Sequence, residues 1–287
     1  MSTLPSLSQL IAALITVPGQ HARTSALYQA LDPVALAAVR ATAFTGTENA
    51  RETIEPFGVI ELPFHRMGAV DSLDLFGLDE LIIFAFYAAN RNRYQRAADI
   101  GANLGLHSLL MSRCGWQVTA FEPDPVHADL LARNRALNGA DKAVQLERAA
   151  VSSTTGTLEF VRVLGNTTSS HLAGAKPNAY GELERFPVPV RAIADIMPSV
   201  DFVKMDAEGQ ERTILLATTA AHWAKTDMMV EIGSPENAEA IFNHLASLGV
   251  NAFAQKLGWG RVASLADMPT SYKGGSLFIT RHTAMNW

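Results

Sequence analysis

The chain has 287 residues, is 48% apolar and 18% charged, and carries a formal net charge of −5. This length can bury about three quarters of the unfolded surface, enough for one large α/β domain plus an accessory segment. The acidic balance argues against nucleic acid as a partner, because neutralising phosphates takes clustered Lys and Arg. Cys114 is the single cysteine, which excludes an internal disulfide and a thiolate metal cluster. This cysteine usage fits a protein of the reducing cytoplasm.

Residues 1 to 95 are predicted to form a mostly helical accessory segment, either a lid or an oligomerisation element. The first 56 or so residues are rich in alanine and are predicted to be helical. The stretch "FGVIELPF" (57 to 64) alternates as a strand does, and residues 78 to 94 predict a largely buried helix. The apolar "SLSQLIAALITVPG" is too short to cross a bilayer and lacks a basic leader, so we expect no membrane contact and packing on a second subunit as one option.

The pattern changes at Arg96, and residues 96 to 287 are predicted to form a second domain. Short apolar runs alternate there with amphipathic helices, which is typical of βαβ units and a parallel sheet. We predict an α/β fold with helices on both faces of a seven-stranded sheet, whose strands lie in "AADI", "QVTAF", "AVQLERAAV", "DFVKMD", "MMVEIG", "VNAFAQ" and "GSLFIT". The last two suit an antiparallel edge, and "GTLEFVRV" predicts a further strand in an antiparallel hairpin.

The turn after the first of these strands, in "DIGANLGLHS", indicates a ligand held against backbone. A dinucleotide fold would have G-x-G-x-x-G at this place. Here the second glycine position holds Asn103 and the third holds Leu106. Asp99 also stands in the strand end, where a dinucleotide binder has an apolar residue. These departures argue against a dehydrogenase.

S-adenosylmethionine (SAM) fits this turn better, because it has no pyrophosphate. Asp99 suits its cationic amino-acid end, and the glycines let the backbone approach the ligand. Glu122 ends the next strand, seventeen residues after Gly105, where a carboxylate can accept hydrogen bonds from both ribose hydroxyls. The alternative is that Asp99 and Asn103 only cap the following helix and that Glu122 is an exposed acid.

Three stretches together resemble the FkbM family of SAM-dependent methyltransferases: "DIGANLGLHS", "FEPDP" and "FVKMDAEGQE". The stretch "NTTSS" (166 to 170) supports the resemblance, which covers about residues 97 to 232. The first motif is shared by most class I methyltransferases, whereas "KMDAEGQE" after a "FEP" strand end is much more particular. The first 95 residues match nothing in the family.

The resemblance implies a class I methyltransferase (Rossmann-like) fold and methylation of a hydroxyl on a sugar or secondary metabolite. A small-molecule or glycan acceptor follows from it. Carried onto this chain, the implied SAM-binding residues are Asp99, Gly101, Ala102, Asn103, Gly105, Glu122, Pro123 and Asp206. Asp206 ends the fourth strand and would face the methyl group. His107 departs from the bulky or aromatic residue that the family often has there.

A hydroxyl acceptor needs a base to take its proton. The candidates are Asp206, Glu208 and Glu231, at or just past strand ends, and His171 in the loop after "NTTSS". Each has another explanation: Asp206 can hold loop backbone, Glu208 can cap the next helix, and His171 can be a surface residue. Glu231 ends a central strand, where burial without a partner would be costly.

The same three carboxylates could hold Mg²⁺, but no histidine stands at metal-ligand spacing beside them and we assign no metal ligand. Asn166, Ser169 and Ser170 fit a loop that hydrogen-bonds a hydroxylated acceptor, although ordinary turn chemistry explains them equally well. A SAM-binding partner or regulatory module without catalysis is the alternative function.

Overall fold

The computed structural model describes residues 4–175 and 181–287. Its helices are α1 (Leu7–Thr16), α2 (Ala26–Arg40), α3 (Leu78–Ala89), α4 (Leu106–Arg113), α5 (Pro125–Leu137), α6 (Ile193–Ile196), α7 (Glu211–Leu216) and α8 (Pro235–Leu248). Its strands are β1 (Arg51–Ile54), β2 (Gly58–Glu61), β3 (Arg96–Ile100), β4 (Gln117–Phe121), β5 (Val144–Glu147), β6 (Ala150–Ser152), β7 (Gly156–Val163), β8 (His171–Leu172), β9 (Leu183–Ala192), β10 (Phe202–Met205), β11 (Asp227–Glu231), β12 (Asn251–Ala254), β13 (Gly260–Arg261) and β14 (Ser276–Thr280).

Eight of these strands form the central sheet, in the order β13-β12-β14-β11-β10-β3-β4-β5. Strands β11, β10, β3, β4 and β5 run parallel, whereas β14 is antiparallel to both β11 and β12. The predicted parallel sheet with an antiparallel edge is therefore confirmed. The strand beyond the predicted seven is β13, which pairs with β12 over two residues and is too short for an alternating pattern to predict.

Alternate residues of the central strands face two hydrophobic cores, one on each side of the sheet. Ala97 and Phe202 pack with side chains of α1 to α4. Their neighbours Ala98 and Val203 point the other way and pack with α7 and α8. Helices therefore cover both faces, as predicted.

A second sheet has the order β6-β9-β7-β8. The strand predicted in "AVQLERAAV" is confirmed as β5, but the stretch also contains a second strand: the run breaks at residues 148 and 149, so that β5 stays in the central sheet while β6 pairs with β9. The predicted hairpin arm is β7, which pairs antiparallel with β9. The pattern does not predict β9 because it contains Pro187 and Pro189. Strand β6 pairs only with residues 190–192 of β9. Both prolines come before these residues, so the side of β9 that faces away from β7 has no β6 partner at either proline.

The N-terminal segment packs α1 and α2 on α3, and its hairpin joins β1 to β2. The first 56 residues were predicted to be helical, and this is wrong for β1, which pairs antiparallel with β2. Its last residue, Ile54, is buried. Helix α1 begins with a capping box between Ser6 and Gln9. It buries Leu10 and Ile11 in the core that α3 shares with the sheet, so this segment forms a layer over one sheet face.

Candidate functional site

The turn after β3 brings its backbone against the end of β10. Gly101 has a φ of +73°, and a side chain there would overlap the carbonyl oxygen of Asp206. Glycine is therefore required by both conformation and space. Asn103 also has a left-handed φ, of 52°, which asparagine tolerates better than most residues.

Glu122, just after β4, is held by the backbone of the same turn. Its Oε2 accepts a hydrogen bond from the N–H of Asn103 and its Oε1 accepts one from the N–H of Asp124, both at 2.8 Å. The side chain is buried, so Glu122 is not the exposed acid of the alternative interpretation. Burial raises the pKa of Glu122 to about 8, despite the two amide donors.

A cavity of about 260 Å³ opens where β3, β4 and β10 end. Eight of the predicted site residues line it: Gly101, Asn103, Glu122, Pro123, Ser170, His171, Asp206 and Glu208. The other six do not lie in its wall: Asp99, Ala102, Gly105, Asn166, Ser169 and Glu231. The carboxyl ends of parallel strands are where ligands bind in open α/β sheets, so this cavity is the candidate active site.

Asp99 lies beneath the turn and not in the cavity wall. It is fully buried, and its Oδ2 accepts a hydrogen bond of 2.6 Å from the hydroxyl of Ser108 on α4. Two other residues of the turn also have structural positions. Ala102 packs in the hydrophobic core, and Gly105 is the N-cap of α4. These three residues hold the turn in place from below.

Asp206 lies between the main cavity and a second one of about 10 Å³. Glu231 lines the small cavity together with Lys204, Glu80 and Ser276. Burial, with Asp206 and Glu80 nearby, raises the pKa of Glu231 well above its ordinary value.

The described residues include no group of three His, Cys, Asp or Glu side chains placed to hold a metal ion. The arrangement of Asp206, Glu208 and Glu231 therefore gives no support to the Mg²⁺ site that the sequence left open. The N-cap of α7 is Gln210, two residues after Glu208, and the Gln210 side chain makes no capping hydrogen bond.

The loop after β7 contributes the wall opposite the glycine turn. Asn166 donates to the hydroxyl of Ser169 at 3.0 Å, which is ordinary turn chemistry. Ser170 accepts a hydrogen bond from the N–H of Val163. His171 is 3% exposed, with Nδ1 at 2.9 Å from the carbonyl oxygen of Ser169. His171 is thus part of the cavity wall and not a surface residue.

His127 was not predicted as a site residue, yet it lines the cavity from the first turn of α5. Its Nε2 lies 2.9 Å from the hydroxyl of Thr167, and burial lowers its pKa. Asp124, the N-cap of this helix, accepts a hydrogen bond from the backbone N–H of Val126 and pairs with Arg162 of β7. A polar residue in the first turn after the strand-end Glu122 was the available signal.

Segment 65–75 of the N-terminal layer closes the cavity from above. The N–H of Ala69 donates to the carbonyl of Gly165 at 2.8 Å, and the N–H of Thr167 donates to that of Met67 at 3.0 Å. Gly68 has a φ of +89°, and a side chain there would overlap the backbone of Gly165. Side chains from this segment that line the cavity are Met67, Val70, Asp71, Asp74 and Leu75.

The chain is similar to several known proteins. The family model described as Methyltransferase FkbM domain matches residues 99–252. Methyltransferase sdnD of Sordaria araneosa is 32% identical over 170 residues, which are 48% of this chain and 66% of that protein. This chain thus spans just under two thirds of that relative's length. No helix among the described residues is long and apolar enough to cross a membrane.

Solved structures resemble it at low identity. Methyltransferase FkbM from Methylobacillus flagellatus KT is 16% identical, with 64% of this chain and 43% of that chain covered and a TM-score of 0.40. The O-methyltransferase from Bacillus cereus in complex with SAH is 11% identical, with 68% and 78% covered and a TM-score of 0.35. The sheet topology and the family match together give the predicted class I methyltransferase fold.

Proposed function

The chain belongs to the FkbM methyltransferase family, and from that premise we propose that it uses SAM to methylate a hydroxyl oxygen on a small-molecule or glycan acceptor. One observation carries the proposal: the glycine turn, Glu122 and Asp206 line a single cavity at the strand ends. A cofactor held by the first two would present its reactive end toward the third.

SAM supplies a methyl carbon that its sulfonium activates for displacement. Gly101 lets the turn pack against the end of β10, and both Gly101 and Asn103 line the cavity where the ligand would lie. Each carboxylate oxygen of Glu122 already accepts one N–H, and a carboxylate has about four acceptor positions. Capacity therefore remains for both ribose hydroxyls.

Asp206 is the proposed base. Its side chain is 36% exposed and lines the cavity. The acceptor's hydroxyl proton passes to this carboxylate while the new oxygen–carbon bond forms and the carbon–sulfur bond breaks. A positioned base of this kind contributes about 10²–10⁴-fold to the rate. Glu208 and His171 also line the cavity and are the alternative bases; Glu231 faces the small cavity instead.

The acceptor would lie against the loop after β7 and segment 65–75, which are joined by backbone hydrogen bonds. The loop offers the hydroxyl groups of Thr167, Thr168 and Ser170, and the segment offers the apolar Met67, Val70 and Leu75 with the acids Asp71 and Asp74. A mixed polar and apolar wall suits a hydroxylated carbon skeleton. We therefore assign residues 96–287 to the methyltransferase domain and residues 1–95 to an accessory layer that shapes the acceptor site.

The test is methyl transfer to a panel of sugars and hydroxylated metabolites, followed as release of S-adenosylhomocysteine (SAH). The wild-type protein should release SAH with at least one acceptor, and the product should gain one methyl group by mass spectrometry. Asp206→Asn should still bind SAH by calorimetry but lose about 10²-fold or more in turnover.

Asp129→Asn is the matched control, because Asp129 is an exposed acid of α5 that does not line the cavity. It should turn over as the wild type does. Binding of NAD without SAM would overturn the proposal. SAM binding with no turnover of any acceptor would favour the regulatory module.

A further inference from the structure

Lys204 is a buried lysine beside Asp206, the proposed base in the wall of the main cavity. It is the third residue of β10 and is 7% exposed. Its Nζ lies 3.6 Å from Oδ2 of Asp206. On its other side is the small cavity that it shares with Glu80, Glu231 and Ser276. About 10 Å³ holds no more than one water molecule, so protein groups and not bulk solvent surround this ammonium.

The charges around Lys204 keep it protonated. Burial alone would lower the pKa of Lys204, but the carboxylates near it, Asp206 foremost, raise it above its ordinary value. For Glu80 the directions are reversed. Burial alone would raise the pKa of Glu80, but His107 and Lys204 lower it below its ordinary value. Lys204 is therefore a permanent cation placed among acids.

We propose that Lys204 is a positioning residue for methyl transfer, whose ammonium pairs with the Asp206 carboxylate and directs it into the main cavity. The inference rests on the proposed role of Asp206 as the base. Glu231 and Asp206 both line the small cavity. Burial, with Asp206 nearby, raises the pKa of Glu231 well above its ordinary value, so Glu231 keeps its proton and supplies no competing charge. The Lys204 ammonium is the opposite charge beside Asp206, and such a charge within about 4–6 Å favours the ionised form of a carboxyl group.

Groups on the neighbouring elements act on the same pair. Helix α3 contributes Glu80 and Tyr87, β3 contributes Asp99, and α4 contributes His107. From the opposite side come Glu231 of β11, Glu208 and Tyr272, with Arg23 and Asp79 beyond Glu231. Among these groups, the Lys204 ammonium is the cation that lies 3.6 Å from Oδ2 of Asp206.

The test follows the Asp206 side chain directly and needs no acceptor. Protein labelled with ¹³C at the aspartate carboxyl carbons is titrated by NMR with SAH present, and the Asp206 signal is assigned by its loss in Asp206→Asn. In Lys204→Met the titration midpoint of this signal should move up by about 1–3 pH units. Ser276→Ala is the matched control, because it changes the same small cavity without changing charge, and its midpoint should stay within about 0.3 units of wild type.

Glu80→Gln gives a second reading if Lys204→Met does not fold. Removing this competing carboxylate leaves the ammonium to Asp206, so the midpoint should move down. A midpoint unmoved in Lys204→Met, or an upward shift in Glu80→Gln, would overturn the inference. Neither result depends on turnover, so a failure of the proposed methyl transfer would be seen separately, in the acceptor panel.

Once an acceptor is known, the pH profile of kcat gives an independent check. Lys204→Met should lose activity most at low pH and recover it as the pH rises past the shifted midpoint, with KM for SAM unchanged. An equal loss at every pH would mark Lys204 as a structural residue and contradict the inference.

Discussion

Binding of an adenosine ligand should strengthen as the pH rises, because Glu122 must lose its proton before it can accept two ribose hydroxyls. Burial raises the pKa of Glu122 to about 8 in the ligand-free protein. With that value roughly 3% of the carboxyl groups are ionised at pH 6.5 and roughly 90% at pH 9. Affinity should therefore rise about 30-fold across this range, or about 2 kcal/mol.

Calorimetry with 5′-methylthioadenosine measures this effect cleanly, because the ligand has the adenosine part of SAM without its titratable amino-acid part. Burial lowers the pKa of His127, which lines the same cavity, so it stays neutral above pH 6.5. Glu122→Gln should remove the pH dependence. Glu147→Gln changes the acid that ends β5, outside the cavity wall, and should keep it. A wild-type affinity constant within about 2-fold from pH 6.5 to 9 would refute the reasoning.

Three further outcomes follow from the site and the core. Dialysis against a chelator should leave the turnover of the wild type unchanged if Asp206 acts directly. A loss of turnover that Mg²⁺ restores would show instead that Asp206 acts through a bound metal ion. Gly68→Ala should raise the KM for the acceptor and leave the affinity for SAH unchanged. The new side chain would overlap Gly165, where segment 65–75 closes the cavity. An unchanged KM would contradict the role of this segment in acceptor binding. Ile11→Ala, at a fully buried position, should lower the free energy of unfolding by about 2–5 kcal/mol in urea titrations, whereas Leu36→Ala, 41% exposed, should change it by about 0.5 kcal/mol or less.

The sequence was sufficient to predict seven of the eight strands of the central sheet because each of the seven carries a strong local pattern. Buried runs that end in Asp99, Glu122 and Asp206 predict three parallel strands, and parallel strands bring their carboxyl ends to one edge. Glu122 and Asp206 line one cavity for that reason. This part of the site is a consequence of topology, and the motifs were enough to predict it.

The direction of each strand-end side chain was harder to predict. Asp99 points to the face of α4, where Ser108 donates to it, while its neighbours Ala98 and Ile100 face the other core. Glu231 likewise faces the small cavity. A strand-end acid can face either side of a sheet, and the side depends on partners that are distant in the sequence.

The second sheet and the cavity roof depend on contacts that no local pattern contains. Strand β9 has prolines that weaken its signal, and it forms because β7 and β6 supply its partners. Segment 65–75 has no regular pattern either, and it is fixed by backbone hydrogen bonds to residues about 100 positions away, such as that from Thr167 to Met67. Long-range pairing of this kind must be seen in the structure.

The central claim, transfer of a methyl group from SAM to a hydroxyl oxygen, is tested most directly by the fate of a labelled methyl group. SAM carrying a ¹³C methyl is incubated with the protein and the acceptor panel, and the product is examined by NMR. We expect a methyl ether carbon that appears together with SAH and is lost in Asp206→Asn. A label found on nitrogen, or SAM that is bound and never consumed, would contradict it.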